Sequence, residues 1–156
     1  MHIHILAVGQ KMPVWVSTGY DEFIKRLPKE FTPLIKEIPP GRRSKNSDLK
    51  RAISEESERI LQAIPKDCLV VALDERGKSW STRQLADKMA DWTSSGRDVA
   101  LIVGGADGLG EEVKQRADMM WSLSALTLPH ALVRVVLAEQ LYRAWSLITN
   151  HPYHRD

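Results

Sequence analysis

The sequence predicts a three-layer α/β domain built around a largely parallel sheet. Short strand-like runs alternate with longer stretches of helical periodicity along the whole chain. The apolar run 68–73 is continuous rather than alternating, which is typical of a strand covered on both faces. With 156 residues, 43% of them apolar and 27% charged, the chain is long enough for one domain with a full core. We therefore expect a single domain over residues 1–156.

The first elements are a strand, a helix and a second strand. Residues 2–8 alternate with period two, which predicts a strand. Residues 13–26 carry apolar side chains at helical spacing, and Pro13 suits a first helical turn. Residues 32–38 predict another strand, which the Pro-Pro-Gly sequence at 39–41 ends.

A helix and the buried strand follow. We expect Ser47 to cap an amphipathic helix that continues to about Ala63. The strand 68–73 is predicted to end in a polar loop, residues 74–79. Its first residue, Cys68, is interpreted as a small buried hydrophobe, because a reactive thiol needs a polar, electropositive setting.

The second half continues the alternation. A helix is predicted over 82–93, a buried strand over 98–103, a short helix over 111–116 and a strand over 119–123. The last helix, 129–148, is apolar around most of its circumference and must be covered on all sides. Because so small a protein offers little to cover it, we expect its outer face to form a homodimer interface.

Two local patterns carry weak chemical signals. The glycine-rich segment 104–110 follows a strand and precedes a helix, so its backbone could approach a ligand closely. It lacks the Gly-x-Gly-x-x-Gly order and follows a late strand, which leaves a nucleotide-dependent oxidoreductase only as an alternative. His2 and His4 lie on the same side of one strand, as a metal pair would. No two further ligands are evident near them or near the other histidines, and we predict no metal.

The segment 41–51 concentrates five cations and one acid. Such a segment suits phosphate contacts, and a solvated loop explains it equally well. The overall formal charge of +2 does not by itself require a nucleic-acid partner. The candidate RNA-binding residues are Arg42, Arg43, Lys45, Lys50 and Arg51.

No segment resembles a leader peptide, and no apolar run approaches the roughly 20 residues of a membrane span. We therefore expect a cytoplasmic protein without membrane contact. At the other end, residues 150–156 gather a Tyr, two His and an Arg. Because chain ends fray unless something holds them, this tail suggests a pocket that the tail closes.

Several long segments resemble one family. They are Ala7-Val-Gly-x-Lys-Met-Pro13, Leu101-Ile-Val-Gly-Gly-Ala-Asp-Gly-Leu109, Trp121-Ser-Leu-Ser-Ala-Leu-Thr-Leu-Pro-His130 and Leu141-Tyr-Arg-Ala-Trp-Ser-Leu-Ile-Thr-Asn-His-Pro-Tyr-His-Arg155. They are similar to the bacterial large-subunit rRNA pseudouridine N3-methyltransferases, which belong to the SPOUT class. The resemblance covers essentially the whole chain.

The resemblance implies a trefoil knot near the C-terminus, an obligate homodimer and S-adenosylmethionine as the methyl donor. It also implies methylation of N3 of a pseudouridine in 23S rRNA, on assembled ribosomes. The residues that match the family's cofactor site are Leu73, Gly104, Leu123, Ser124, Ala125, Leu126, Thr127 and Leu128.

Methyl transfer to an imide nitrogen requires loss of its proton, which suggests roles for the tail. Arg155 is expected to stabilise the imide anion, Tyr153 and His154 to orient the base, and His130 to serve as a candidate proton acceptor. The tail could come from the partner subunit. A different class of function, a non-catalytic ribosome-binding factor with the same fold, also fits these residues.

Overall fold

The computed structural model describes residues 1–43 and 48–155 and confirms the α/β prediction. Its elements are β1 (Ile3–Val8), α1 (Val14–Ile24), a short 3-10 helix (Lys29–Phe31), β2 (Leu34–Ile38), α2 (Leu49–Ala63), β3 (Leu69–Ser79), α3 (Thr82–Ser95), β4 (Val99–Val103), α4 (Glu111–Arg116), β5 (Met119–Ser122) and α5 (His130–Ile148). The described strands form one sheet in the order β2-β1-β4-β3-β5, and every pair in it is parallel.

The sheet separates two apolar layers. Side chains alternate along each strand, so on β1 the buried Ile5 and Leu6 face opposite layers. Helices α1, α3 and α5 pack on the face of Ile5, and α2 and α4 on the face of Leu6. All five residues of β4 are buried, as expected for a central parallel strand. This arrangement is the predicted three-layer architecture.

The predicted loop 74–79 is wrong, because β3 continues through it to Ser79. The strand pairs with β5 on both sides of a register shift between Leu73 and Lys78. Backbone hydrogen bonds to β5 maintain the strand although its side chains are polar and largely exposed. Gly77 permits this pairing, since a Cβ there would lie 2.5 Å from the carbonyl carbon of Met120.

Side chains and glycines set the helix ends. The Asp48 carboxylate accepts a hydrogen bond from the Lys50 amide (2.9 Å) and caps α2, whereas the predicted cap, Ser47, lies outside the described residues. Ser81 and Gln84 form a capping box at the start of α3. A Cβ on Gly41 would lie 2.0 Å from the Ala52 carbonyl oxygen, so only glycine lets this loop pass α2.

Cys68 is fully buried, as predicted, and burial raises the pKa of its thiol. The last helix, α5, is buried at Leu137 and Leu141, whereas Leu132 and Val136 remain half-buried. Its outer face is therefore only partly covered by its own chain. Among the described residues, no helix combines the length and the apolar character that a membrane span needs.

Candidate active site

A pocket of about 830 Å³ opens where β4 and β5 end and beside residues 73–76, at the register shift of β3. These strands are neighbours in the sheet, and parallel strands place their carboxyl ends at one edge, where α/β proteins bind ligands. The volume lies within the range of small-molecule sites. The buried Trp121 contributes to the wall and is itself fixed by stacking on Trp80 at 4.7 Å between ring centroids.

The glycine-rich loop after β4 forms one wall. The Gly108 amide donates to the Gly105 carbonyl (3.1 Å), which folds the loop back on itself. Gly108 has a φ of 78°, a conformation that favours glycine. A Cβ on Gly104 would lie 2.9 Å from the Gly108 carbonyl carbon. The loop therefore presents backbone to the pocket at Gly104, where a side chain would not fit, and at Gly108, where only the backbone conformation disfavours other residues.

A second loop, residues 123–128, and the start of α5 form the opposite wall. Ser124 holds this loop, because its carbonyl accepts from the Ser122 hydroxyl (3.0 Å) and its own hydroxyl accepts from the Leu126 amide (2.9 Å). Helix α5 begins at His130, and its preceding residue, Pro129, provides no side-chain cap. The positive end of this 19-residue helix therefore points toward the pocket.

Charged side chains border the pocket. Lys114 Nζ lies 3.4 Å from an oxygen of Asp74, and both residues contribute to the lining. Asp107 accepts a hydrogen bond from Arg43 Nε (2.9 Å), and Arg43 Nη1 donates to the carboxylate of the buried Glu56 (2.7 Å). These ion pairs join the glycine-rich loop to α2, and the bond to Glu56 raises the pKa of the Arg43 guanidinium.

The structure brings the predicted cofactor residues together. Leu73, Gly104 and all of 123–128 except Ala125 line the pocket, and Ala125 lies exposed in the same loop. His130 also lines it. Asp74 and Lys114 also line the pocket, although the sequence did not predict them as site residues. Asp74 directly follows the apolar run 68–73, and the change there from a buried apolar pattern to a polar residue is the signal that could have identified it.

The tail lies elsewhere in the same chain. The Tyr153 hydroxyl donates to Glu139 (3.0 Å), and the Tyr153 ring lies 4.5 Å from that of Tyr142. Burial, followed by the bond to Glu139, raises the pKa of the Tyr153 phenol. His154 Nδ1 lies 3.1 Å from the Ser146 hydroxyl. These contacts hold the tail against the C-terminal half of α5, while Arg155 is exposed.

The chain therefore does not close its own pocket with its tail. The pocket borders the first residue of α5, and the tail packs along the middle and the C-terminal half of that helix. The residues of α5 that the tail contacts, from Glu139 to Ser146, lie about 14 to 24 Å along the helix from His130 at 1.5 Å per residue. Of the predicted catalytic residues, only His130 reaches the pocket of its own subunit.

The predicted RNA-binding residues differ in availability. Arg42 and Lys50 are exposed, and Arg51 is exposed with a salt-bridge contact to Glu55 at 3.7 Å. Arg43 is engaged with Glu56 and Asp107, so a phosphate would have to compete with two carboxylates for it. Lys45 lies outside the described residues.

Sequence comparison identifies close relatives. A family model described as "Predicted SPOUT methyltransferase" matches residues 1–154. A protein of Thioalkalivibrio sulfidiphilus named ribosomal RNA large subunit methyltransferase H is 58% identical over 156 residues, all of both chains. A protein of the same name from Methylococcus capsulatus is 51% identical over 155 residues, 99% of this chain and all of the relative.

Solved structures show the same fold at low sequence identity. A methylase family protein from Neisseria gonorrhoeae is 14% identical with a TM-score of 0.58, over 99% of this chain and 86% of that chain. A methyltransferase of Legionella pneumophila, in complex with bound SAM, is 14% identical with a TM-score of 0.50, over 90% of this chain and 65% of that chain.

Proposed function

Because the chain belongs to the family of SPOUT methyltransferases, we propose that it transfers a methyl group from S-adenosylmethionine to N3 of a pseudouridine in 23S rRNA. The observation that carries the proposal is the pocket at the edge of the sheet where β4 and β5 end, which is lined by seven of the eight residues that match the family's cofactor site. The full-length relatives named rRNA large subunit methyltransferase H support the substrate class. The oxidoreductase alternative is set aside, because this family transfers methyl groups.

The pocket fits the proposed cofactor. Leu73, Leu126 and Leu128 offer apolar surface for a planar base, and the backbone of the two loops offers amides and carbonyls for polar edges. The carboxylate of Asp74 gives one wall an anionic group. When bound there, S-adenosylmethionine supplies an electrophilic methyl carbon.

The remaining chemistry falls to residues of the protein. The acceptor nitrogen must lose its proton, and the His130 imidazole at the pocket wall is the group we propose to accept it. The Arg155 guanidinium would stabilise the resulting imide anion, while Tyr153 and His154 orient the nucleotide. Alignment of the nitrogen with the methyl group supplies much of the rate, since correct orientation lowers such barriers by several kcal/mol.

We propose that a second copy of the chain supplies the tail. Within one chain, the tail contacts α5 from Glu139 to Ser146, about 14 to 24 Å along the helix from the pocket residue His130, and Arg155 does not line the pocket of its own chain. Apolar surface is available for pairing, because Val14 is 81% exposed, Trp15 is 54% exposed and α5 is only partly covered. The active enzyme would then be a homodimer.

The RNA would contact the exposed cations near the pocket. Arg42, Lys50 and Arg51 are exposed at the start of α2, and Arg43 ties that region to the pocket loop. The family resemblance implies an assembled ribosome rather than free RNA as the substrate. With a net charge of only +2, docking would depend on the shape of the surface as much as on bulk attraction. That substrate implies a cytoplasmic enzyme.

The test combines cofactor binding with product analysis. Calorimetry with S-adenosylmethionine should give one site per subunit. Ribosomes from cells that lack this protein should gain one methylpseudouridine per 23S rRNA on incubation, as measured by nucleoside mass spectrometry. Absence of cofactor binding would favour the non-catalytic ribosome-binding factor. Methylation of a different nucleotide would overturn the proposed substrate.

A further inference from the structure

A second group of chemically active side chains lies at the amino edge of the sheet, opposite the pocket. Strands β1, β4 and β3 are neighbours and begin together at this edge. The Val99 amide donates to the His2 carbonyl (2.9 Å), and the Leu69 amide donates to the Asp98 carbonyl (2.8 Å). These backbone bonds hold the residues that precede β4 and β3 beside the start of β1.

Three of the side chains at this edge share one face of the sheet. His4 is two residues before Leu6 on β1, and side chains two apart on a strand share a face. His4 therefore lies on the side of the sheet that α2 and α4 cover. Cys68 packs in that same layer. A nitrogen of His4, the sulfur of Cys68 and a carboxylate oxygen of Asp98 all lie within 4.8 Å of one another. His4 Nε2 is 3.8 Å from Asp98 Oδ2.

We propose that His4, Cys68 and Asp98 bind one Zn²⁺ ion. A thiolate, an imidazole and a carboxylate are the three ligand types that zinc takes in proteins. The thiolate favours a soft or borderline ion over Mg²⁺ or Ca²⁺. Ligand atoms around tetrahedral zinc are about 3.5 Å apart, so small side-chain rotations would close the cluster around the ion.

The surroundings of these three side chains allow an ion to enter and leave room for a fourth ligand. Cys68 is fully buried, but the side chains of His4 and Asp98 are 19% and 35% exposed, so an ion can enter from their side. Asp98 is already oriented, because its Oδ1 accepts the His2 amide (2.8 Å). The His2 ring lies 6.4 Å from that of His4 and could provide the fourth ligand, or water could.

Bound zinc would join the starts of three strands at the edge opposite the pocket, so we assign it a structural role. This proposal is independent of the methyltransferase function. It also revises the expectation of no metal, which arose because Cys68 and Asp98 are far from His4 in sequence. They meet it only through the strand order.

The test uses the purified full chain and Zn²⁺ alone, in competition with a chromogenic chelator. Wild type should bind one ion per chain. Asp98→Asn, which keeps the oxygen that accepts the His2 amide, should weaken binding by about 100-fold, since even outer-shell partners of a metal change its affinity roughly 10- to 100-fold. Asp67→Asn is the matched control. It removes a neighbouring exposed carboxylate and keeps a residue that tolerates the φ of 62° there, so zinc affinity should stay unchanged.

Co²⁺ alone provides a spectroscopic readout of the sulfur ligand. Cobalt should add a thiolate-to-metal charge-transfer absorption that Cys68→Ala abolishes. Absence of that band in wild type, or an equal loss of zinc affinity in Asp98→Asn and Asp67→Asn, would overturn the proposal. If Cys68→Ala fails to fold, the pair of Asp variants still decides the question.

Discussion

Truncation after Pro152 should separate cofactor binding from catalysis. The shortened chain loses the Tyr153 bond to Glu139 (3.0 Å), the ring contact with Tyr142 (4.5 Å) and the cation–π contact with Arg143 (5.0 Å). For partly exposed groups these contacts are together worth about 2 kcal/mol. The free energy of unfolding of a domain is roughly 5–15 kcal/mol. Because the loss is a fraction of this, the truncated chain should still fold.

The two activities should respond very differently. The expected cofactor contacts come from β3, the glycine-rich loop and the loop 123–128 and not from the tail, so the affinity for S-adenosylmethionine should change less than about two-fold. Loss of one preorganised anion-stabilising group costs about 100-fold or more in rate, and the truncation removes Arg155 together with its neighbours. We therefore expect methylation of ribosomes to become undetectable in the truncated protein.

Three measurements check this reasoning: urea unfolding, calorimetry with the cofactor and methyl transfer to ribosomes. Glu139→Gln is the control, because it weakens the same packing and keeps the tail. It should lose about 1 kcal/mol of stability and retain methylation. Full activity after truncation would remove the tail from the mechanism. A ten-fold loss of cofactor affinity with the dimer intact would show that the tail closes the pocket instead.

Three further changes test the fold. The buried Tyr20 hydroxyl finds no hydrogen-bond partner within residues 1–43 and 48–155, so Tyr20→Phe should stabilise the protein by about 1 kcal/mol at pH 7 in urea unfolding. Burial raises the pKa of Tyr20, so the folded state keeps its proton after the unfolded state has lost it. Above about pH 10 the free energy of unfolding of the wild type should therefore fall by about 1.4 kcal/mol per pH unit. The variant lacks this phenol and should not show that loss. Ser81→Ala removes the capping box of α3 and should cost about 1 kcal/mol, read as a lower urea midpoint with an unchanged slope. Gly41→Ala should cost at least about 2 kcal/mol, because its Cβ would meet the Ala52 carbonyl oxygen at 2.0 Å; equal stability by thermal melting would contradict that packing.

Hydrophobic periodicity predicted the alternation of elements and the parallel sheet, because each buried strand or helix carries its own apolar pattern. It failed over 74–79, where no apolar residue occurs and β3 is held by backbone bonds to β5. Such pairing depends on the neighbouring strand, here β5, and the sequence of residues 74–79 does not indicate which strand lies beside them. Among these polar residues is Asp74, and for that reason this part of the pocket was missed.

The two candidate sites illustrate the same limit in different ways. The resemblance to a known family named residues of which the structure places all but Ala125 around one pocket, but it gave no distances. Only the structure separates the tail from the pocket along α5. For the amino edge, the alternation of His2 and His4 was readable, whereas the strand order that brings Cys68 and Asp98 beside them was not.

The central position of β4 has a consequence for synthesis on the ribosome. β1 pairs on one side with β2, but its other partner begins at residue 99 of 156. Emerging chain therefore carries an unsatisfied strand edge for most of translation, and pairings of such long sequence separation form slowly. We expect the nascent protein to form its native sheet only late in synthesis. Until then, the unpaired edge of β1 must be protected from pairing with other chains.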